Sequence, residues 1–250
     1  VDYIAAHMMQ QYPRRQDTIL VGREYMKDRD QAWAELTEIY DTLEPKLDSL
    51  EAIIKANGSK AKLALTEGHL SLKPHNTNQL LHEWLAGLYH ARVMNLYMRH
   101  ADMIEIATLA DFCGNRWTVN AVMLGSQHQQ IYLMPVGVVT RLYRKHSGTQ
   151  GIKVPATIGS LNLAASRSEN QIYLYVVNTD LHNVQSLELS ILGVTKVAGK
   201  AWEIAPGDVA AYVDSEHTDT LDPVAKDIAP SDQLTWIFPA ASVTILELTI

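Results

Sequence analysis

The sequence predicts two regions of different fold class, an α/β region followed by an all-β region. Up to about residue 148, short apolar runs alternate with long segments whose apolar residues recur at helical spacing. Beyond about residue 154, almost every segment reads as a strand, and turn residues separate the segments at short intervals. The hydrophobic content of 47% and the charged content of 20% are typical of a soluble globular chain, long enough for one large domain or two modest ones.

Three pairs of strand and helix make up the predicted α/β region. Strands are expected at residues 3–7, 63–66 and 103–109, and helices at residues 30–57, 77–99 and 135–146. Gly58 follows the first helix where a C-cap glycine belongs, and Pro45 predicts a kink in that helix or its division into two. This order is typical of a parallel βα array, in which helices cover both faces of the sheet or the strands line a closed barrel. Three units are too few to close an eight-stranded barrel.

Alternating apolar and polar residues define the strands of the all-β region. The clearest strands are at residues 171–177, 187–191 and 242–248. Short strands separated by turn residues at regular intervals are typical of an antiparallel β-sandwich. We therefore expect a domain boundary near residue 150, with an α/β domain over residues 1–150 and a sandwich over residues 151–250.

Charge and cysteine content argue against several classes of protein. The net charge of −7 and the pI near 5.8 argue against a nucleic-acid partner, which needs clustered Lys and Arg. No apolar run is long enough to span a bilayer, so we expect no membrane partner. The single cysteine, Cys113, excludes an intrachain disulfide and is typical of a reducing compartment. With no basic and apolar leader at the start, the sequence predicts a cytoplasmic protein, and secretion stays open if a signal peptide has been removed.

Glu67 is the strongest candidate for a catalytic residue. It directly follows an apolar strand, and barrel enzymes place catalytic groups at the C-terminal ends of parallel strands. A helix cap or a solvated loop carboxylate explains its position equally well. His7 ends the first strand in the same way, and Asp111 with Asn115 follows the third, so three successive strands carry polar groups to one edge. A structural role for His7 and a turn-capping role for Asp111 are the alternatives.

The sequence lacks the established metal and nucleophile motifs. Residues 82–86 (HEWLA) begin like a zincin helix, but Ala stands where the second histidine ligand belongs. His69, His75 and His82 fit no standard zinc spacing. There is no G-x-S-x-G nucleophile elbow, no phosphate loop and no G-x-G-x-x-G motif. We therefore predict no metal and no cofactor, and we expect Cys113 to be a small packed residue.

Five segments follow the order of motifs in a known enzyme family. Residues 2–7 (DYIAAH), 65–69 (LTEGH) and 109–117 (LADFCGNRW) coincide with the three predicted strands and the loops that follow them. Residues 177–180 (VNTD) and 238–243 (FPAASV) lie in the all-β region. These segments resemble the sixth, seventh and eighth barrel strands and the C-terminal sandwich of the family 51 glycoside hydrolases, the α-L-arabinofuranosidases. The resemblance covers essentially the whole chain.

The resemblance implies an active site built around Glu67. Glu67 would be the nucleophile of a retaining glycosidase that releases terminal α-L-arabinofuranosyl residues, and His7, His69, Asn115 and Trp117 would bind the substrate. Retaining glycosidases use two carboxylates about 5–5.5 Å apart, a nucleophile and an acid/base. The acid/base of the family follows an Asn at the end of the fourth barrel strand. No Asn-Glu pair occurs in the sequence, so the resemblance implies that this acid is not in the chain.

The resemblance also implies what the chain is part of. Residues 1–150 would be the last three βα units of a TIM (β/α)8 barrel, and residues 151–250 the C-terminal sandwich. The expected partners are an arabinose-containing oligosaccharide or polysaccharide and either further copies of the chain, as a homo-oligomer, or the N-terminal half of the barrel. Thr66 and Gly68 flank the nucleophile where Asp and Trp are common, and Met8 stands where Tyr is frequent, which leaves the sugar specificity open. The alternative is a non-catalytic structural or carbohydrate-contacting module.

Overall fold

Helices and parallel strands alternate in the first part of the chain, and antiparallel strands fill the second part. The computed structural model describes residues 2–11, 16–126, 129–191, 193–194 and 196–249. The first part contains β1 (Tyr3–His7), β2 (Gln10–Gln11), a 3₁₀ helix (Glu24–Lys27), α1 (Arg29–Asp41), α2 (Leu43–Ala56), β3 (Lys62–Glu67), β4 (Leu70–Ser71), a 3₁₀ helix (Gln79–His82), α3 (Trp84–Arg99), β5 (Ile104–Ala107), β6 (Asp111–Gly114), β7 (Asn120–Met123), β8 (Tyr132–Leu133) and α4 (Pro135–Lys145). The second part contains β9 (Gln150–Ile152), β10 (Thr157–Ile158), β11 (Leu161–Ser168), β12 (Gln171–Asn178), β13 (Gln185–Leu189), β14 (Val197–Ile204), β15 (Val224–Ser231), β16 (Leu234–Phe238) and β17 (Ser242–Thr249). The predicted mixed α/β character is confirmed.

The parallel sheet has the order β1-β3-β5, with β3 in the centre. Ala5 of β1 lies opposite Ala64 of β3, and Ala64 in turn lies opposite Ile106 of β5. The backbone continues this alignment beyond the strands, because the N–H of Met8 donates to the carbonyl of Glu67 (2.7 Å). The three strands therefore end at one edge, which fixes the positions of the side chains that follow them.

The predicted helix at residues 30–57 is two helices, α1 and α2, which meet at Thr42. Pro45 lies in the first turn of α2, where its missing N–H has no intrahelical partner to lose. Gly58 has a φ of +61°, and its N–H donates to the carbonyl of Lys55 (2.9 Å). The glycine that closes the helix is thus placed as the sequence predicts.

The predicted single helix at residues 77–99 is wrong, because the chain is extended at Glu83. A 3₁₀ helix capped by the side chain of Asn78 precedes this residue, and α3 begins after it. The carboxylate of Glu83 accepts hydrogen bonds from Tyr25 (2.8 Å) and from the guanidinium of Arg29 (3.2 Å). Its backbone forms a β-bridge with Tyr212. These distant contacts hold the extended backbone and interrupt the helix.

A small sheet of strands β6, β7 and β8 follows β5 and was not predicted from the sequence. β6 and β7 are parallel, and β8 is antiparallel to β7. The strand predicted at residues 103–109 is correspondingly shorter and ends at Ala107. Residues 111–123 therefore form structure of their own at the edge where the three parallel strands end.

The second part is an antiparallel sheet with the order β10-β11-β12-β17-β14-β15, and β9 also pairs with β11. β13 and β16 form a separate two-stranded sheet whose apolar side chains pack against this sheet. The strands predicted at 171–177 and 242–248 correspond to β12 and β17, and the strand predicted at 187–191 begins earlier, as β13. β12 and β17 are central and almost completely buried, because α3 and α4 cover one face of the sheet and the two-stranded sheet covers the other.

Helix α3 joins the two parts through a shared core. Trp84 is fully buried, and its indole N–H donates to the carbonyl of Ala241 (2.6 Å). The amide of Asn95 donates to the carbonyl of Asn162 (3.0 Å), so a buried polar side chain of α3 is also paired across this interface. In the described part of the chain, every helix falls short of the length and apolar character needed to cross a membrane.

Candidate functional site

The carboxyl ends of β1 and β3 bring His7 and Glu67 together. The two residues are partners in the register of the parallel sheet, after an irregularity between Ala6 and His7. Nδ1 of His7 lies 2.9 Å from Oε2 of Glu67. The side chain of Glu67 is 27% exposed and that of His7 is 60% exposed, so the pair faces solvent at the end of the sheet. The placement of both residues at one edge, expected from the sequence, is observed.

His69 lies next to Glu67 and is buried. Its Nδ1 is 3.6 Å from Oε1 of Glu67 and 4.0 Å from Oδ1 of Asp111. Burial lowers the pKa of His69, while the carboxylates of Asp111 and Glu67 act in the opposite direction. Neither ring nitrogen has a hydrogen-bond partner among the described residues. A histidine with both nitrogens unpaired is thus enclosed next to two carboxylates.

The backbone around Glu67 is held by groups from neighbouring strands. The amide of Gln10 donates to the carbonyls of Met8 (2.8 Å) and Gly68 (3.0 Å). The N–H of Thr108 donates to the carbonyl of Leu65 (2.9 Å), which ties the end of β5 to β3. These contacts leave the carboxylate of Glu67 in a defined position at the end of its strand.

Gly68 stands where the neighbouring backbone leaves no space for a side chain. A Cβ atom at residue 68 would lie 2.5 Å from the carbonyl oxygen of Thr108, which is closer than any side chain permits. The loop after β5 thus passes directly over the position that follows Glu67. A Trp cannot occupy that position in this structure.

Asn115 and Trp117 line an open groove beside the His7–Glu67 pair. The groove has a volume of about 770 Å³. Its lining comes from the ends of β3 and β5 and from the segment that includes β6, namely Thr66, Thr108, Ala110, Asp111, Phe112, Cys113, Gly114, Asn115, Arg116, Trp117 and Asn120. Within the described residues, Asn115 and Trp117 form no hydrogen bond or ion pair with Glu67. The structure therefore gathers His7, Glu67 and His69 tightly, and it places the other two predicted residues farther along the groove.

Two features of the groove were missed or misjudged from the sequence. Phe112 is 81% exposed and, with the half-exposed Trp117, gives the groove an aromatic wall. Cys113 was expected to be packed, and it is exposed instead. Phe112 and Cys113 are consecutive residues of β6 and are both exposed, so neither face of the strand is covered at this point. An exposed aromatic residue in a short strand has no periodic signal that distinguishes it from a core residue.

Asp111 lies beside Glu67 and His69, a grouping that the sequence did not predict. Its carboxylate, that of Glu67 and a ring nitrogen of His69 all lie within 4.8 Å of one another. Carboxylates and imidazole are among the side chains that bind divalent metals in proteins. The three residues are far apart in sequence or fit no standard ligand spacing, so the metal motifs could not reveal them.

Comparison with known proteins identifies the chain's relatives. The family model of the alpha-L-arabinofuranosidase C-terminal domain matches residues 59–242. The structure is similar to the α-L-arabinofuranosidase of Thermotoga maritima in complex with arabinose, with a TM-score of 0.66 and 19% identity over 100% of this chain and 53% of that one. A family 51 α-L-arabinofuranosidase from Bifidobacterium longum has a TM-score of 0.71 and 16% identity over 99% of this chain and 53% of that one. A family 44 xyloglucanase from Paenibacillus polymyxa has a TM-score of 0.62 and 17% identity over 100% of this chain and 47% of that one.

These comparisons define the family and the extent of the match. At such identities the structural similarity shows a shared fold. The chain spans about half the length of the solved structures that it resembles. No curated protein sequence matches it. Because the family model covers most of the sequence, the chain belongs to the α-L-arabinofuranosidase C-terminal domain family.

Proposed function

We propose that the chain forms one side of the active site of a retaining glycoside hydrolase, with Glu67 as the nucleophile. The observation that carries the proposal is the position of the Glu67 carboxylate, which is partly exposed at the carboxyl end of a parallel strand and lies 2.9 Å from His7. Barrel enzymes place their catalytic groups at this end of the sheet. Membership of the family supports terminal α-L-arabinofuranosyl groups as the substrate class.

In the proposed reaction, a carboxylate oxygen of Glu67 attacks the anomeric carbon of the sugar. A bond forms between Glu67 and that carbon while the glycosidic bond breaks, and the leaving oxygen takes a proton from the acid/base. Water then attacks the same carbon and releases the sugar, with the acid/base accepting a proton from the water. His7 orients the attacking carboxylate through the contact with Oε2. The groove that contains Asn115 and Trp117 offers an aromatic and amide surface to the rest of the substrate.

The acid/base of this scheme comes from outside the described residues. The carboxylate of Asp111 is near Glu67, but it follows the neighbouring strand and lies on the same side of the site. A retaining enzyme needs its two carboxylates on either side of the scissile bond. We therefore assign the acid/base to an N-terminal barrel half. The solved relatives support this assignment, because the chain matches only about half of their length.

If an N-terminal barrel half supplies the acid/base, the chain is one part of a larger barrel. The β1-β3-β5 sheet and its helices would be the last three βα units of an eight-stranded barrel, and the antiparallel strands would be its C-terminal sandwich. In the described part of the chain, β1 and β5 are the free edges of the sheet, and Ile4 and Ile106 near these edges are exposed. Unpaired apolar edges favour association with another strand. The partner would be the N-terminal barrel half or a further copy of the chain, and light scattering after size exclusion would measure the self-association. A cytoplasmic location stays a prediction.

The test of the function is hydrolysis of a chromogenic α-L-arabinofuranoside by the longest natural protein that contains the chain. Substitution Glu67→Gln removes the nucleophile and keeps its size, so we expect kcat to fall by about 10³-fold or more. With Glu67→Ala, added azide would take the place of the carboxylate and give the glycosyl azide of inverted configuration. A matched control is Glu105→Gln, because Glu105 is exposed on β5 and contacts Tyr3 rather than the site.

The outcomes separate the enzyme from the non-catalytic alternative. Full activity of Glu67→Gln would show that another group is the nucleophile. If the natural protein binds arabinosyl oligosaccharides and hydrolyses none of them, the chain is a carbohydrate-contacting module. Preferential hydrolysis of xyloglucan over arabinofuranosides would move the substrate class to that of the family 44 relative.

A further inference from the structure

We propose that Glu67, His69 and Asp111 form a binding site for a divalent cation with the ligand preference of Zn²⁺. The three side chains come from the end of β3, from the segment after it and from the start of β6. One donor atom from each lies within 4.8 Å of the other two. The inference rests on these donors and holds whether or not the chain hydrolyses glycosides.

The buried imidazole of His69 is the observation that points to a ligand. His69 is 2% exposed, and neither of its nitrogens has a hydrogen-bond partner among the described residues. Buried polar atoms are almost always paired, because an unpaired one loses its bonds to water without replacement. Nδ1 is directed at the two carboxylates but stays 3.6 Å from Glu67 and 4.0 Å from Asp111. These distances are too long for hydrogen bonds, and they leave space for a cation between Nδ1 and the two carboxylates.

The geometry fits a small cation with mixed ligands. Zinc binds imidazole nitrogen and carboxylate oxygen at about 2.0–2.2 Å, so that tetrahedral donors lie roughly 3.4 Å apart. The observed nitrogen–oxygen distances of 3.6 and 4.0 Å need only a small rotation of the two partly exposed carboxylates to reach that spacing. The two carboxylates add the negative charge that a divalent ion neutralises. Mg²⁺ and Ca²⁺ prefer oxygen ligands alone, so the imidazole selects against them.

His7 would support the metal from outside the ligand set. It lies 2.9 Å from Oε2 of Glu67, whereas Oε1 faces His69. A histidine on the second oxygen of a metal-binding carboxylate fixes the orientation of that carboxylate. Under the proposed function, a cation bound to Glu67 would occupy the nucleophile, so Zn²⁺ is expected to inhibit hydrolysis.

The test is direct binding of Zn²⁺ to the metal-free chain, measured in competition with a chromophoric chelator. We expect one strongly bound Zn²⁺, with Mg²⁺ unable to displace it. His69→Asn and Asp111→Asn each remove one ligand and should weaken the affinity by at least about tenfold. Asp111 is partly exposed, so Asp111→Asn should fold even if His69→Asn does not, and circular dichroism identifies the folded variants.

A second group of donors provides the matched control. Asp48, Glu51 and His100 also lie within 4.8 Å of one another, but Glu51 is paired with Lys55 (2.6 Å). We expect His100→Asn to leave Zn²⁺ affinity unchanged. The proposal is overturned if no Zn²⁺ binds, if Asp111→Asn binds it as tightly as the unmodified chain, or if His100→Asn removes the binding. Since binding is read without substrate, its failure leaves the assignment of Glu67 as nucleophile to the hydrolysis assay.

Discussion

The two large sheets of this chain differ in how completely they are covered. In the antiparallel sheet, Val176 of β12 and Ile245 of β17 are fully buried. In the parallel sheet, Tyr3 of β1 is 45% exposed and Ile106 of β5 is 47% exposed. The residues proposed to carry chemistry lie at or after the ends of the strands of the parallel sheet. The comparison indicates that the antiparallel sheet contributes more to the stability of the chain, whereas the edge at which chemistry is proposed belongs to the less buried parallel sheet.

The largest expected difference concerns one substitution made in both sheets. Ile245→Ala removes a fully buried side chain and should lower the free energy of unfolding by about 3–4 kcal/mol, as for other large core residues. Ile106→Ala, on the half-exposed strand β5, should lower it by only about 0.5 kcal/mol. Chemical denaturation measures both values. A loss at Ile106 as large as that at Ile245 would show that a partner covers the parallel sheet in solution.

A slightly smaller effect is expected for His90 on α3, whose burial makes the free energy of unfolding depend on pH. Burial lowers the pKa of His90 to about 4, against about 6.5 in an unfolded chain. The folded state keeps this imidazole neutral, so the stability is fully present above pH 6.5 and is lost as the pH falls toward 4. Between pH 6.5 and pH 4, the free energy of unfolding should fall by about 3 kcal/mol through His90. Nδ1 of His90 is 2.7 Å from the carbonyl of Ala86, and the amide of an asparagine at residue 90 can donate a similar hydrogen bond without titrating.

The measurement is the unfolding free energy of the chain and of His90→Asn between pH 7 and pH 4. The difference between the two curves isolates His90 from the other titrating groups. His69 and His82 are also buried with lowered pKa values, and they add to the loss in both proteins. Parallel curves would mean that His90 is already protonated, or hydrated, in the folded chain.

The smallest effect compares two asparagines of the antiparallel part. The buried amide of Asn178 donates to the carbonyls of Asn183 (2.9 Å), Phe238 (3.2 Å) and Pro239 (2.8 Å). Asn178→Ala leaves these carbonyls without their donor and should cost about 2 kcal/mol. Asn170 lies exposed in the turn between β11 and β12, so Asn170→Ala should change stability by less than about 0.5 kcal/mol. Thermal unfolding of the two variants decides the point, and equal values would contradict a structural role for the amide.

Local sequence signals were sufficient for the features that depend on neighbouring residues. Gly58 ends a helix because only glycine adopts its positive φ without strain, and this requirement is visible in the sequence. His7 and Glu67 meet because parallel strands end at the same edge, so a strand assignment alone was enough to bring them together. The role of each residue in chemistry is a separate matter and stays a prediction for His7, Glu67, His69, Asn115 and Trp117.

Features that depend on distant contacts could not be predicted. The helix is interrupted at Glu83 because Tyr25, Arg29 and Tyr212 bind that residue, and no local pattern records such partners. The position of Asp111 beside His69 depends on how the segment after β5 folds back, which created a group of metal donors that spacing rules excluded. Cys113 is exposed because it lies in a small sheet that was not expected, at a point where neither face of β6 is covered. The division into residues 1–150 and 151–250 stays a prediction.

Indole and amide groups of the helices donate hydrogen bonds to the second part of the chain, and these bonds affect how the chain unfolds. Trp84 binds Ala241, Trp33 binds Thr179 (3.0 Å) and Asn95 binds Asn162, so strands from the second part complete the core of the first. Heating should therefore melt the whole chain in a single cooperative step, and a protease that cuts near residue 150 would release two pieces with open cores. We therefore expect the edge at which chemistry is proposed to lose its structure together with the antiparallel sheet.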